Sequence, residues 1–182
     1  MARLPYLQRE DLTPEAQAVH DEIAQSRGRL PRPFAVLLHS PEAARRVAAL
    51  GEYVRYRSAV PRHLAELAIL AVARELDCQY EFTYHAAHAR RAGLAEESIA
   101  AVAQRRAPQG LPEEEALVVR FAQELLRQRR FSDATWEEAL ARFGRVGATD
   151  LAVTVGYYTM MAHFLLGFEV ELEEGTAPAL PL

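Results

Sequence analysis

Two apolar runs dominate the pattern of hydrophobic and polar positions: one from Leu64 to Leu76, and a longer one from about Gly147 to Phe168, one in each half of the chain. Neither alternates residue by residue. No stretch of β-branched residues between turn residues reads as a strand, so the fold class is all-α.

Helix start and stop signals set the remaining elements. Thr13 followed by Pro14 is an N-cap with proline at the first helical position, opening a helix to about Ser26; Ser40 and Pro41 repeat the device for a helix to about Ser58. Pro61 precedes the first apolar run. Asp77 is the expected cap of the next helix, which ends where Gly93 supplies a left-handed position, and Ala95 to Ala103 makes a short amphipathic segment. Arg105 to Leu111 reads as a loop. Pro112 starts a charged helix to about Arg130, Ser132-Asp133 caps another to Phe143, and the second apolar run follows. The tail EEGTAPALPL is expected to be mobile or to clamp a neighbouring subunit. Short connections throughout imply antiparallel neighbours packed as a bundle.

With 182 residues, half of them apolar, the chain is long enough for one domain with a substantial core. The net charge of -4 provides no basic face of the kind that neutralises a phosphate backbone, which argues against nucleic acid as a partner. The N-terminal MARLPYLQRE lacks the apolar region of a secretory signal, and no stretch is apolar enough to span a bilayer. The expectation is a cytoplasmic protein with no membrane partner. One cysteine, Cys78, excludes an intrachain disulfide and confines any thiol chemistry to that residue.

The candidate chemistry lies between Arg62 and Gly93. Cys78, Glu81, His85 and His88 are spaced three, four and three residues apart and fall on one stripe of a helix, shared or flanked by Phe82, Ala89 and Ala92. A carboxylate and an imidazole on the side that carries small apolar residues should face the interior. Glu66 is equally out of place, because LAELAILAVA is apolar around its circumference. A lone buried carboxylate is costly, and His85 is its natural partner if the two helices pack antiparallel. The bland alternatives are a solvated Glu81–His85 pair, a rim position for His88 and a merely packed Cys78. Tyr157, Tyr158, Met160 and His163 on the last apolar helix are candidates to line the same cavity, or simply core.

The segment RHLAELAILAVARELDCQYEFTYHAAHARRAGLAEESIAAV resembles the core motif of the carboxymuconolactone decarboxylase family, which includes the alkylhydroperoxidase D-like proteins. The preceding PFAVLLHSPEAARRVAALGEYVRYRSAVP is similar to the family's lead-in helices. The resemblance implies an alkylhydroperoxidase D-like multi-helical bundle: a single domain over residues 1–182, with a core motif at 61–102 and a C-terminal helical extension at 112–168. It also implies a homo-oligomer, trimeric or hexameric.

In the peroxidase branch the motif is a glutamate, a Cys-x-x-Cys pair and a histidine four residues later. Glu66, Cys78 and His85 occupy the glutamate, first-cysteine and histidine positions, but Glu81 stands at the second cysteine, where that branch has its attacking thiol. The decarboxylase branch instead carries a glutamate followed four residues later by a histidine, as Glu81 and His85 do. The catalytic set expected on this basis is His85, Glu81, Glu66 and Cys78. His85 would act as general acid/base, Glu81 as its proton partner and Glu66 as its orienter. The substrate would be a small carboxylated lactone or keto acid, with no metal and no organic cofactor. Three alternatives stay open: a peroxidase working through Cys78, a metal- or ligand-binding module using Glu81, His85 and His88, and a non-catalytic helical oligomer.

Overall fold

A computed structural model describes residues 2–181. Met1 and Leu182, the ends of the expected domain, of its N-terminal segment and of its tail, lie outside the described residues. Eight α-helices occur among the described residues: α1 (Pro14–Arg27), α2 (Arg32–Leu37), α3 (Pro41–Tyr56), α4 (Arg62–Glu75), α5 (Gln79–Arg91), α6 (Glu96–Ala103), α7 (Glu113–Gln128) and α8 (Asp133–Gly167). No strand occurs among the described residues.

Helix α4 is the axis of the molecule. Leu64 through Ala73 are all buried, and α4 packs against α3, α5, α6, α7 and α8. That enclosure is the structural counterpart of a helix with no polar face. Helices α3 and α7 turn the apolar sides of amphipathic helices toward it, while α1 and α2 pack on α3. Thr13 caps α1 by accepting from the Ala16 amide, and Ser132 caps α8 by accepting from the Thr135 amide, as expected.

One expectation needs correction. Asp77 does not cap α5: it takes a left-handed conformation (φ 50°), which a short polar side chain tolerates, and its carboxylate pairs with Arg74 and Arg105. Cys78 is the N-cap residue instead. The segment before Ser40 contains the short α2, with Pro31 at its N-cap and a second proline, Pro33, in its first turn. The described part of the tail packs on its own chain. Ala179 N donates to Thr83 Oγ1 (3.0 Å), Tyr80 Oη donates to Glu173 Oε1 (2.7 Å), and Leu180 is buried against the chain's own core.

The two helices expected on either side of Gly144 are two segments of α8, separated where Gly144 leaves helical geometry (φ 63°, ψ -178°). Asp150, in the second segment, accepts from Tyr53 Oη and from the Ala59 amide, both at 2.8 Å. These bonds fix α3 and the turn into α4, and therefore the start of the helix that carries Glu66.

Candidate functional site

The turn at Leu76–Cys78 folds α5 back along α4 and brings His85 against Glu66. His85 Nδ1 donates to Glu66 Oε2 at 2.7 Å, and His85 Nε2 faces Glu81 Oε2 at 3.3 Å. Relative exposures of 1% for Glu66, 2% for His85 and 5% for Glu81 place all three in the interior. The second oxygen of Glu66 accepts from Arg62 Nε at 2.9 Å, one turn earlier on α4, while Arg62 also donates to the Arg55 carbonyl (3.1 Å). The imidazole thus lies between two carboxylates, one of them anchored by a guanidinium.

Opposing electrostatic forces act on this row. Burial disfavours the charged form of His85, but the Glu66 carboxylate, and after it Glu81, outweighs burial and raises the histidine above its ordinary value. Burial likewise pushes the Glu66 carboxyl up, yet the His85 imidazolium and Arg62 overcome it and hold the acid at about 2. The resting state is an imidazolium held by a carboxylate.

A cavity of about 40 Å³ opens beside His85, walled by Phe34, Arg55, Tyr80, Tyr84, Tyr158 and Met161 among others. Tyr158 stands edge-on to the imidazole with ring centroids 4.8 Å apart, and burial raises its hydroxyl well above the ordinary value, so it stays a donor. That hydroxyl makes no hydrogen bond among the described residues. Tyr157 reaches the same wall because α3 has glycine at position 51, where a Cβ would lie 2.3 Å from the Tyr157 hydroxyl.

His88, expected at the rim, is half-buried and receives a contact from Arg55 (NH2 to Nε2, 3.4 Å). Burial, His85 and Arg55 together lower it to about 4. It is therefore a neutral acceptor for Arg55. Tyr157 and Tyr158 line the cavity as expected; Met160 is 44% exposed, and His163 is exposed and bonded to the Thr159 carbonyl, so neither belongs to it.

Cys78 stands apart. It packs with Val36, Tyr80, Ala162, Leu165 and Val170, is not part of the cavity wall, and burial pushes its thiol up to about 12. A thiol so far from ionising is a poor nucleophile. No group of three or more His, Cys, Asp or Glu among the described residues is arranged to hold a metal ion, so Glu81, His85 and His88 do not form a metal site. Likewise, no helix of the described residues is long and apolar enough to cross a membrane.

Arg27, Arg55, Arg62 and Tyr84 were missed by the sequence reading. Arg62 had a signal, the four-residue spacing to Glu66, but that spacing also describes an exposed helix pair.

The fold is alkylhydroperoxidase D-like. Residues 41–124 match the carboxymuconolactone decarboxylase family, so this segment of the chain is similar to that family. The fold is similar to a peroxidase-related protein of Ralstonia eutropha JMP134, with an alkylhydroperoxidase D core (TM-score 0.81, 17% identity, 97% of each chain covered). It is also similar to a peroxidase-related protein of Silicibacter sp. TM1040 (TM-score 0.79, 15% identity, 96% of this chain and 93% of that one). A third similar structure is a variant of the debrominase Bmp8 in complex with 2,3,4-tribromopyrrole (TM-score 0.70, 14% identity, 92% and 90% covered). No curated protein matches the chain in sequence.

Proposed function

We propose that the protein is a thiol-independent acid–base enzyme, carboxy-lyase-like, acting on a small carboxylated lactone or keto acid. The observation that carries this reading is the buried Glu66–His85–Glu81 row opening on a cavity that excludes the only thiol. In the proposed reaction the carbon–carboxylate bond breaks, carbon dioxide leaves, and its electron pair passes into the adjacent carbonyl system as an enolate. His85, already protonated, then delivers a proton to the carbon. Glu81 returns a proton from solvent to the imidazole, and Glu66 keeps the ring oriented and its protonated form stable. The Tyr158 hydroxyl is the donor available to the enolate oxygen. Atoms balance with one proton taken up per carbon dioxide released, and no oxidant is needed.

Carbon dioxide release should be measured over a panel of β-keto acids and carboxylated lactones. H85Q should lower turnover by roughly 10²–10⁴-fold. Unchanged turnover in a folded H85Q protein would remove His85 from the mechanism.

The peroxidase-related names of the similar structures favour a second reading, peroxide reduction through Cys78. Consumption of an organic hydroperoxide by wild type, lost in C78A and kept in H85Q, would decide for it.

A further inference from the structure

The inner cavity has room for about three water molecules, or for the reacting end of a small organic molecule rather than the whole of one. Behind it lies a second chamber. A cleft of about 390 Å³ runs between α5, the end of α1 and the tail, lined by Arg27, Arg29, Tyr84, His88, Arg91 and Glu173 among others. Arg27 and Tyr84 belong to the walls of both chambers, and the Arg55–His88 contact joins the inner wall to the outer one.

The charges of the cleft do not balance. Most arginines of this net-acid chain pair with a carboxylate, as Arg3, Arg9, Arg46, Arg90 and Arg127 do. Arg27, Arg55 and Arg91 form no ion pair among the described residues, and all three stand on these two chambers. Arg27 is held in place without an acid: its guanidinium lies 4.4 Å from the Phe34 ring centroid, and it donates to Ser26 Oγ and the Ala48 carbonyl. The Nε of Arg55 is buried with no acceptor. Against these stands Glu173, 3.3 Å from Arg29 and already accepting from Tyr80.

We propose that the cleft is an anion-binding vestibule in which Arg29 and Arg91, with Arg27 at the junction, hold a charged group of the substrate while its reacting end passes Tyr84 to reach His85. The substrate class is an organic anion whose charged group is separated from its reacting carbon by the thickness of the Tyr84–Arg27 partition. The part concerning His85 rests on the acid–base reading above; the anion site does not. Guanidinium groups suit this task because their planar forks match a carboxylate or phosphate. Glu173 keeps Arg29 oriented until the ligand displaces it.

Calorimetric titration of the full chain with adipate, a flexible dicarboxylate, tests the site without any turnover. Adipate should bind wild type, and its uncharged diamide should not. R91Q should weaken adipate roughly ten-fold and R29Q/R91Q further, as expected for losing charge-assisted hydrogen bonds; both side chains are exposed, so circular dichroism should show unchanged folding. R130Q, outside the cleft, should bind as wild type does, and H85Q should retain adipate binding whether or not it retains turnover. Absence of binding to wild type, equal affinity in R29Q/R91Q, or equal binding of the diamide would overturn the vestibule and leave the acid–base reading standing.

Discussion

Replacing Glu66 by Gln probes the electrostatics of the site directly. The carboxylate is buried and divides its two oxygens between His85 and Arg62 at 2.7 and 2.9 Å. Gln keeps the shape and one acceptor oxygen but removes the charge. In the wild-type protein Glu66 is held at about 2 against an ordinary 4.5, a preference for the charged form of about 3 kcal/mol. The raised His85 reports the same attraction from its other end, so the two shifts describe one interaction. Without the carboxylate, burial, the largest force on His85, is opposed chiefly by Glu81. With that charge-assisted hydrogen bond gone, the imidazolium of E66Q should lose its proton at a lower pH than in wild type.

Nuclear magnetic resonance titration of the histidine ring signals, with that of His85 identified by its absence in H85Q, measures this shift. The alkaline limb of the turnover profile should move with it. Stability gives a second readout whose sign follows from linkage. The Glu66 contribution is present above about pH 4.5 and lost as pH falls toward about 2. The His85 contribution is present below about 6.5 and lost as pH rises through the raised folded value. The pair therefore stabilises most between about pH 4.5 and 6.5. Urea unfolding should show E66Q destabilised by about 3 kcal/mol in that window and by less at about pH 9. An unmoved His85 titration in E66Q, or a cost independent of pH, would refute the ion pair.

Three further substitutions separate packing from chemistry. C78A should leave decarboxylation within about two-fold of wild type while costing about 1–2 kcal/mol in urea unfolding, because it trims a packed side chain that is not part of the cavity wall. G51A would place a methyl group 2.3 Å from the Tyr157 hydroxyl. It should cost about 1–3 kcal/mol by overpacking and depress turnover as the cavity wall shifts, both measurable on one preparation. D150A removes the acceptor shared by Tyr53 and the Ala59 amide and should cost about 2 kcal/mol in thermal or urea unfolding.

The helices and the Glu–His core were legible because each rests on local periodicity. A helix apolar on all sides must be central, and Glu66 and His85, each on an apolar surface, must find one another across the α4–α5 turn. The same logic failed where a residue's role depends on its backbone rather than its side chain. Asp77 has the chemistry of a cap, yet the turn uses it in a left-handed conformation and Cys78 takes the cap position. The tail's attachment was illegible for a related reason. Its prolines and glycine read as unstructured chain, while its attachment runs through single contacts to Thr83 and Tyr80 that no periodic pattern announces.

The arginines of the two chambers were least legible because they come from α1, the loop after it, α3 and α5, which only the tertiary fold brings together. Even so, a local trace of their role exists. Neither Arg27 nor Arg91 has an acidic residue three or four positions away on either side, whereas Arg46, Arg62 and Arg74 each do. On a helix those are the positions from which a carboxylate neutralises a guanidinium. An arginine without such a neighbour must find its counter-charge elsewhere in the fold, in solvent or on a ligand. Neither Arg27 nor Arg91 finds one among the described residues, and both border a wide opening that adjoins the wall beside His85, which is the arrangement a charged substrate would require.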